Sequence, residues 1–315
     1  MAYNSLTSRV DVQAMVREQV SDIMLNGLTN ESAVLSTFTR LSVPTNQTRF
    51  PVLSALPVAG FVNGDTGLKS TTEAAWSNKY IDIEELAAIV PIPDAVLADA
   101  SFDVFGNIRP LLENAIARAL DAAVLFGTNA PASWPDDIVT AATAAGNTYA
   151  RGTNAAAAGG IAEDVNQLIA KLEADGYFPS AFIANVTNRA RFRSARGTDG
   201  QLLMDVNGGA SNIWGVPTTY PMPGQWPSGL SVAELIAMQR ENFVVGVRQD
   251  FTITTSNEAV IQDDNGIVQF NAFQQDMTLF RIVFRVGWQV NNPINYQQSV
   301  EANRYPAAIM LSPAS

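Results

Sequence analysis

The side chains able to do chemistry in this chain of 315 residues are almost all carboxylates and guanidinium groups. Carboxylates stand in adjacent pairs, Glu84-Glu85, Asp136-Asp137 and Asp263-Asp264, the residue type that general acid/base and glycoside chemistry uses. Their spacing works against that use. Neighbours on a strand face opposite ways, so the pairs read as solvated turns and faces. Asp263-Asp264-Asn265-Gly266 has the composition of a calcium loop but lacks the distal glutamate of a full site, and a hairpin turn is the simpler reading. The chain has no histidine and no cysteine, which removes the commonest general base, imidazole and thiolate metal ligands, and disulfides. It also has no phosphate loop, dinucleotide fingerprint or zincin helix. The expectation is a protein that is not an enzyme, with no cofactor and no metal.

The basic residues concentrate in one stretch, "NRARFRSAR", where Arg189, Arg193 and Arg196 share a helical face and Arg191 lies nearby. Such a cluster can face nucleic-acid phosphates. It can equally pair with carboxylates of another copy of the same chain, which the fork of arginine suits, and this second use is favoured. A net charge of -11 and a pI near 4.5 argue against a general nucleic-acid binder. The glycosylation-type triplets at Asn30, Asn46 and Asn185 carry no weight in a bacterial cytoplasm, where the lack of a secretory leader or a long apolar run places synthesis. No membrane partner is expected.

Positioning elements follow from periodicity. Val10, Val12, Val16, Val20, Ile23 and Met24 form a thin helical stripe, an arm laid on something rather than a core helix. From Val34 to Phe50 the chain is β-prone, with Pro44 and Pro51 limiting strand length. Residues 49 to 79 then make a long excursion whose tip, "FVNGDTGLKS", supplies turn chemistry at Asn63, Gly64, Asp65 and Gly67. Two arms of about 15 residues at ~3.3 Å each would reach roughly 50 Å. A two-stranded ribbon is marginal alone in water, so it should be supported by another chain.

A strand through Val90 and a short helix after Pro93 come next. The strongest signal is a helix over 108 to 126, with Ile108, Leu111, Leu112, Ala115, Ile116, Ala119, Leu120, Ala123 and Val124 inward and Gly127 as its stop. Residues 128 to 160 read as a surface connection. A second amphipathic helix spans 161 to 175, "SAFIANV" is a buried strand, and Thr187 caps a short basic helix. Beyond Gly215 the pattern is β-rich, ending in "LFRIVFRVGWQV" as a long final strand.

In this order, with "LDAAVLFGT", "DGYFPSAFIAN", "WGVPTTY" and "RVGWQVNNP" at these spacings, the chain resembles the major capsid proteins of tailed phages with the HK97-type fold. The resemblance covers nearly the whole chain. It implies an α+β fold with an N-terminal arm over 1–36 and an E-loop over 49–80. A discontinuous P domain with a spine helix would take 37–48, 81–214 and 278–292, and an A domain 215–277 and 293–315. It implies a virion protein, assembled in the bacterial host cytoplasm, that forms pentamers and hexamers of an icosahedral shell around double-stranded DNA without sequence-specific binding. An encapsulin-type compartment is the alternative. Expected partners are other copies, a portal, a separate scaffolding protein and a decoration or cement protein. The E-loop tip residues Asn63, Gly64, Asp65, Gly67 and Lys69 would contact a neighbouring subunit.

Some members of this family crosslink an E-loop lysine to a neighbour's asparagine with a catalytic glutamate. Here Lys69 and Lys79 lie in or beside the loop, while the asparagine position falls near Asp276 and the glutamate position near Val283 or Phe284. These are wrong for that chemistry, so the resemblance implies a shell without covalent links. The family's "GDF" stands as Glu241-Asn242-Phe243, and with the hairpin beginning near residue 49 no cleaved scaffolding extension is expected.

Overall fold

The structure is a computed structural model that describes residues 32–62, 67–100, 103–196, 201–202, 212–221, 224–229, 232–263 and 265–313. The stripe at 10 to 24 and the tip residues Asn63, Gly64 and Asp65 lie outside the described residues.

The elements run in this order: α1 (Ala33–Thr37), β1 (Thr39–Ser42), β2 (Gln47–Ala55), β3 (Ala75–Asp82), β4 (Glu84–Pro93), α2 (Asp94–Asp99), α3 (Val104–Phe126), α4 (Ile138–Ala144), β5 (Thr148–Ala150), α5 (Gly160–Ala174), β6 (Ala181–Ala184) and α6 (Asn188–Ser194). Strands β7 (Asn212–Ile213), β8 (Val216–Thr219), β9 (Ala233–Met238), β10 (Phe243–Ser256), β11 (Val260–Gln262), β12 (Val268–Asn271), β13 (Met277–Val290) and β14 (Ala307–Leu311) complete the chain.

Helix α3 starts where the Asp103 carboxylate accepts from the Gly106 amide at 3.0 Å and carries Pro110 near its beginning. It stops at Gly127, whose φ of 68° closes the last turn through Thr128 N to Ala122 O at 3.1 Å, a left-handed cap that glycine adopts without penalty. Its buried side chains are Leu112, Ile116, Leu120 and Val124 with Ala117, Asp121, Ala123 and Leu125. Leu111, Ala115 and Ala119, expected inward, face solvent. The alanines gave the apparent stripe more width than the helix buries.

Two sheets share the core. The first has the order β1-β10-β13-β4, with β1 parallel and the others antiparallel. On β13 the even residues Phe280, Ile282, Phe284, Val286, Trp288 and Val290 enter the core that holds α3. The second sheet has the order β5-β14-β9-β6-β8-β7 and is buried on both faces. Ile183, Ile236, Met238, Ala307 and Ile309 face α3 and α4. Their alternate neighbours Phe182, Leu235, Ala237, Ala308 and Met310 face α5 and α6. Period-two burial with no polar face is what a sheet between two helical layers requires.

Several expectations change. Residues 128 to 160 are more than a connection: α4 and β5 lie within them, and Trp134, Ile138 and Ala142 are core residues. The short length of these elements hid them among Thr, Ala and Gly. The last strand is β14, not β13, and its parallel pairing with β5 joins residues 148–150 to 309–311. Thr187 makes no side-chain cap; instead the Asn185 Oδ1 accepts from the Thr187 amide at 3.0 Å. Strand pairing also divides the chain differently from the composition shift at Gly215. Residues 243–256 pair with 279–290, while 148–150, 181–184, 212–213, 216–219 and 233–238 share a sheet with 307–311. These contacts are long-range, and local composition carries no mark of them.

Candidate functional site

The excursion seen in the sequence is a hairpin of β2 and β3, registered from Gln47↔Asp82 to Ala55↔Ala75. Its ladder ends there, well short of the arms expected. Pro57 has no N–H to give, and the small residues beyond it offer few cross-strand side-chain pairs. A tie from Val58 N to Thr72 Oγ1 at 2.7 Å holds the outer part.

The root of the hairpin is fixed to the body by a notch of two glycines. Gly246 of β10 and Gly287 of β13 face each other in register, and the buried Ile81 lies on both. A Cβ on Gly287 would stand 2.2 Å from Asp82 O, and one on Gly246 would stand 2.8 Å from Val43 Cγ2. Only the bare backbone lets the ribbon approach so closely. Trp134 Nε1 donates to Asp82 O at 3.1 Å and Gln289 Nε2 to Tyr80 O at 2.8 Å.

A second bracket comes from the segment between β13 and β14. Tyr296 donates its hydroxyl to Pro57 O at 2.7 Å, Ile294 N donates to Leu53 O at 3.2 Å, and Lys79 pairs with Glu301 at 3.2 Å. Arg304 braces this segment: it is buried, and its guanidinium donates to the carbonyls of Pro293, Ser299 and Asn292. The Tyr177 hydroxyl donates to Asn292 Oδ1 at 2.6 Å, and burial pushes its pKa up to about 12, against the opposing pull of Arg304.

Beyond these supports the hairpin presents apolar side chains to solvent. Phe61 is fully exposed, Leu68 is 97% exposed, and Val58 and Trp76 are largely so. Gly67 is half-buried and Lys69 exposed. Another short hairpin, β11–β12, leaves Ile267, Val268 and Phe273 exposed. Its turn is the expected one: Asp263 Oδ1 accepts from the amides of Asn265 and Ile267, both at 2.9 Å, and these bonds hold the Asp263 pKa below its ordinary value.

The arginine cluster does not act as one face. Arg189 stacks over the Tyr220 ring at 5.2 Å, and Arg193 Nε donates to Arg189 O at 3.2 Å. Arg191 pairs within its own chain, with Glu234 at 3.0 Å and Asn188 at 2.6 Å. Arg196 lies past the end of α6, bridged to Leu202. Glu234 and its second partner, Arg151, were not singled out in the sequence. The available signal was a lone glutamate inside the apolar run of β9.

Among the described residues no cluster of acidic, His or Cys side chains could hold a metal, and no helix is long and apolar enough to cross a membrane. Glu85 pairs with Arg285 at 2.8 Å, and the Asp137 carboxylate caps α4 through Thr140 N at 2.9 Å. Asp276, Val283 and Phe284 lie on or beside β13, with Val283 and Phe284 buried.

Comparison with known proteins places these features together. The model of the phage capsid family matches residues 13–295. A solved structure from Microbacterium phage Oxtober96 is 31% identical, with a TM-score of 0.83 over 98% of this chain and 100% of that one. One from Mycobacterium phage Cain is 28% identical, with a TM-score of 0.85 over 99% of this chain and 100% of that one. The capsid of an empty GTA particle shares the fold at 17% identity, with a TM-score of 0.68 over 98% of this chain and 100% of that one. Among curated proteins, none matches.

Proposed function

The chain belongs to the phage capsid family and serves as a major capsid protein, and we propose that copies of it close into an icosahedral shell of pentamers and hexamers around double-stranded DNA. The observation that carries this reading is the hairpin: a ribbon with a rigid root and an apolar, solvent-facing outer half. Isolated two-stranded ribbons are marginal in water, and exposed apolar surface of this kind marks a protein contact. Its partner is another copy, whose surface it clamps. Hairpin and N-terminal arm together would bury on the order of 2,000 Å² or more per subunit, the size class of obligate interfaces.

The four-stranded sheet with α3 would form the peripheral part of the subunit. The six-stranded sheet with α5 and α6 would form the axial part, shifting the expected boundaries to follow strand pairing. A five-fold arrangement is supported by analogy with the GTA capsid, which was computed with C5 symmetry. The negative net charge suits a container whose DNA must slide in and leave. The role is structural rather than catalytic, and assembly in the host cytoplasm would involve a portal, a separate scaffolding protein and a decoration protein.

The test is negative-stain electron microscopy of the purified protein beside size-exclusion chromatography. Closed shells, or rings of five and six, are expected. A chain that stays monomeric at high concentration, even with its scaffold, would overturn the reading. Protein cargo in place of DNA inside native particles would move it to a cellular compartment.

A further inference from the structure

The hairpin has a joint where its ladder ends. Leu53 pairs with Trp76 and Ala55 with Ala75, so Ser54 is an extra residue on β2, and an extra unpaired residue of this kind bends a strand. Beyond the joint the two arms are tied to each other by Val58 N to Thr72 Oγ1 at 2.7 Å, which makes the outer ribbon one unit. The strap between β13 and β14 touches the ribbon on both sides of this joint. Ile294 N donates to Leu53 O at 3.2 Å before it, and the Tyr296 hydroxyl donates to Pro57 O at 2.7 Å after it. The Lys79–Glu301 pair, at 3.2 Å, adds a third contact lower on the ribbon.

We propose that this strap is a releasable latch, which holds the outer ribbon against its own subunit and gives way at the joint while the root stays packed. The two attachments differ in kind. At the root Val43, Val52 and Ile81 are buried, and Ile83 N donates to Asn46 O at 2.9 Å. At the latch Tyr296 is 74% exposed and the Glu301 side chain 64% exposed, so water competes for these bonds, and an exposed ion pair adds little. The strap keeps its shape without the ribbon. Asn295 Nδ2 donates to Asp175 O at 2.7 Å, Gln298 N to Asn295 Oδ1 at 2.8 Å and Asn292 Nδ2 to Arg304 O at 2.9 Å, beside the Arg304 and Tyr177 bonds already described. Release therefore frees only the joint. In the free subunit the latch fixes the direction of Phe61 and Leu68, and a neighbour that buries them outweighs its few exposed bonds. One sequence then offers its ribbon at the different angles that pentamers and hexamers require. That use rests on the proposed shell, whereas every contact of the latch lies within one chain.

The chain has no cysteine, so spin labels can be placed on introduced thiols and their separation measured by double electron–electron resonance on the unassembled full chain. Leu68→Cys on the outer ribbon with Lys171→Cys on α5 reports the joint. Asn78→Cys, on β3 below the joint, with the same Lys171→Cys reports the root. All three positions are exposed. Each pair is measured with the latch intact, in Tyr296→Phe, which keeps the ring and loses only the hydroxyl, and in Tyr296→Phe combined with Glu301→Gln.

With the latch intact, the distance from 68 to 171 should form a single narrow peak. That peak should be lost in part in Tyr296→Phe and wholly in the double variant, while the distance from 78 to 171 keeps its peak throughout. Loss confined to the double variant would centre the latch on Glu301 and support it equally. An unchanged 68-to-171 peak in the double variant, a distribution already as broad with the latch intact, or equal broadening of both distances would overturn it. Failure to form shells, in a chain whose two distances behave as expected, would count against the shell and leave the latch standing.

Discussion

Asp121 shows how much one side chain can hold. It lies buried on α3, and its carboxylate accepts from the Ser32 hydroxyl, from Ala33 N at 2.8 Å and from Val34 N at 3.1 Å. It therefore caps α1, the first described element, from a distant part of the chain. Asp121→Ala would leave these donors buried without an acceptor and should cost about 2–4 kcal/mol, measured by urea unfolding. Burial raises the Asp121 pKa above 3.8, against the lowering effect of the Ser32, Ala33 and Val34 hydrogen bonds. The folded chain thus holds this proton more tightly than the unfolded one. The stability linked to it is complete below pH 3.8 and is lost as pH rises through the raised native value. Wild type should gain on the non-titrating Asp121→Asn variant as pH falls from neutral toward that limit. A stability difference that is flat, or that moves the other way, would count against this account.

At the scale of elements, the hairpin is a lever whose angle is set at its root. Gly287→Ala would drive a Cβ into Asp82 O, an overpacking that costs roughly 1–3 kcal/mol. It should leave the helices folded by circular dichroism while displacing the ribbon enough to stop shell formation. Deleting residues 58 to 70 should give the same pair of results without the strain, because its described residues, 58–62 and 67–70, contribute little to the core. Normal shells from the deletion would remove the clamping role. The strongest elements were legible because their signals are local. Gly127 and the Leu112, Ile116, Leu120 periodicity define most of α3, whose Asp103-capped start at Val104 precedes the expected 108, and Asp175-Gly176 ends α5. Strand β4 and helix α2 follow from Pro93. Elements α4 and β5 escaped because they are short, and their burial comes from β14 across the chain.

The whole molecule was legible as an order of elements but not as a division into sheets. Nothing local near Phe243 says that β10 will lie between β1 and β13, or near Ala307 that β14 will enter between β5 and β9. The candidate site was legible in the same partial way. Turn residues announced the hairpin, while the glycine notch and the Tyr296 bracket that orient it depend on pairing far along the chain. The same long-range geometry bears on how a shell of these subunits would be held. Lys79 is committed to Glu301 at 3.2 Å, which leaves Lys69 as the exposed lysine of the loop. By the resemblance the acceptor-amide position falls near Asp276, whose carboxylate is a poor electrophile for an amine. The aligned catalytic position falls on Val283 or Phe284, whose buried apolar side chains cannot move a proton. Contacts between copies in the proposed shell are then expected to be non-covalent, with strength drawn from buried area summed over many copies. Mature particles boiled in denaturant should run as one band near 33.8 kDa, and Lys69→Arg particles should be indistinguishable from wild type. A ladder of covalent multimers that disappears in Lys69→Arg would show that the loop finds an acceptor and a base this geometry does not supply.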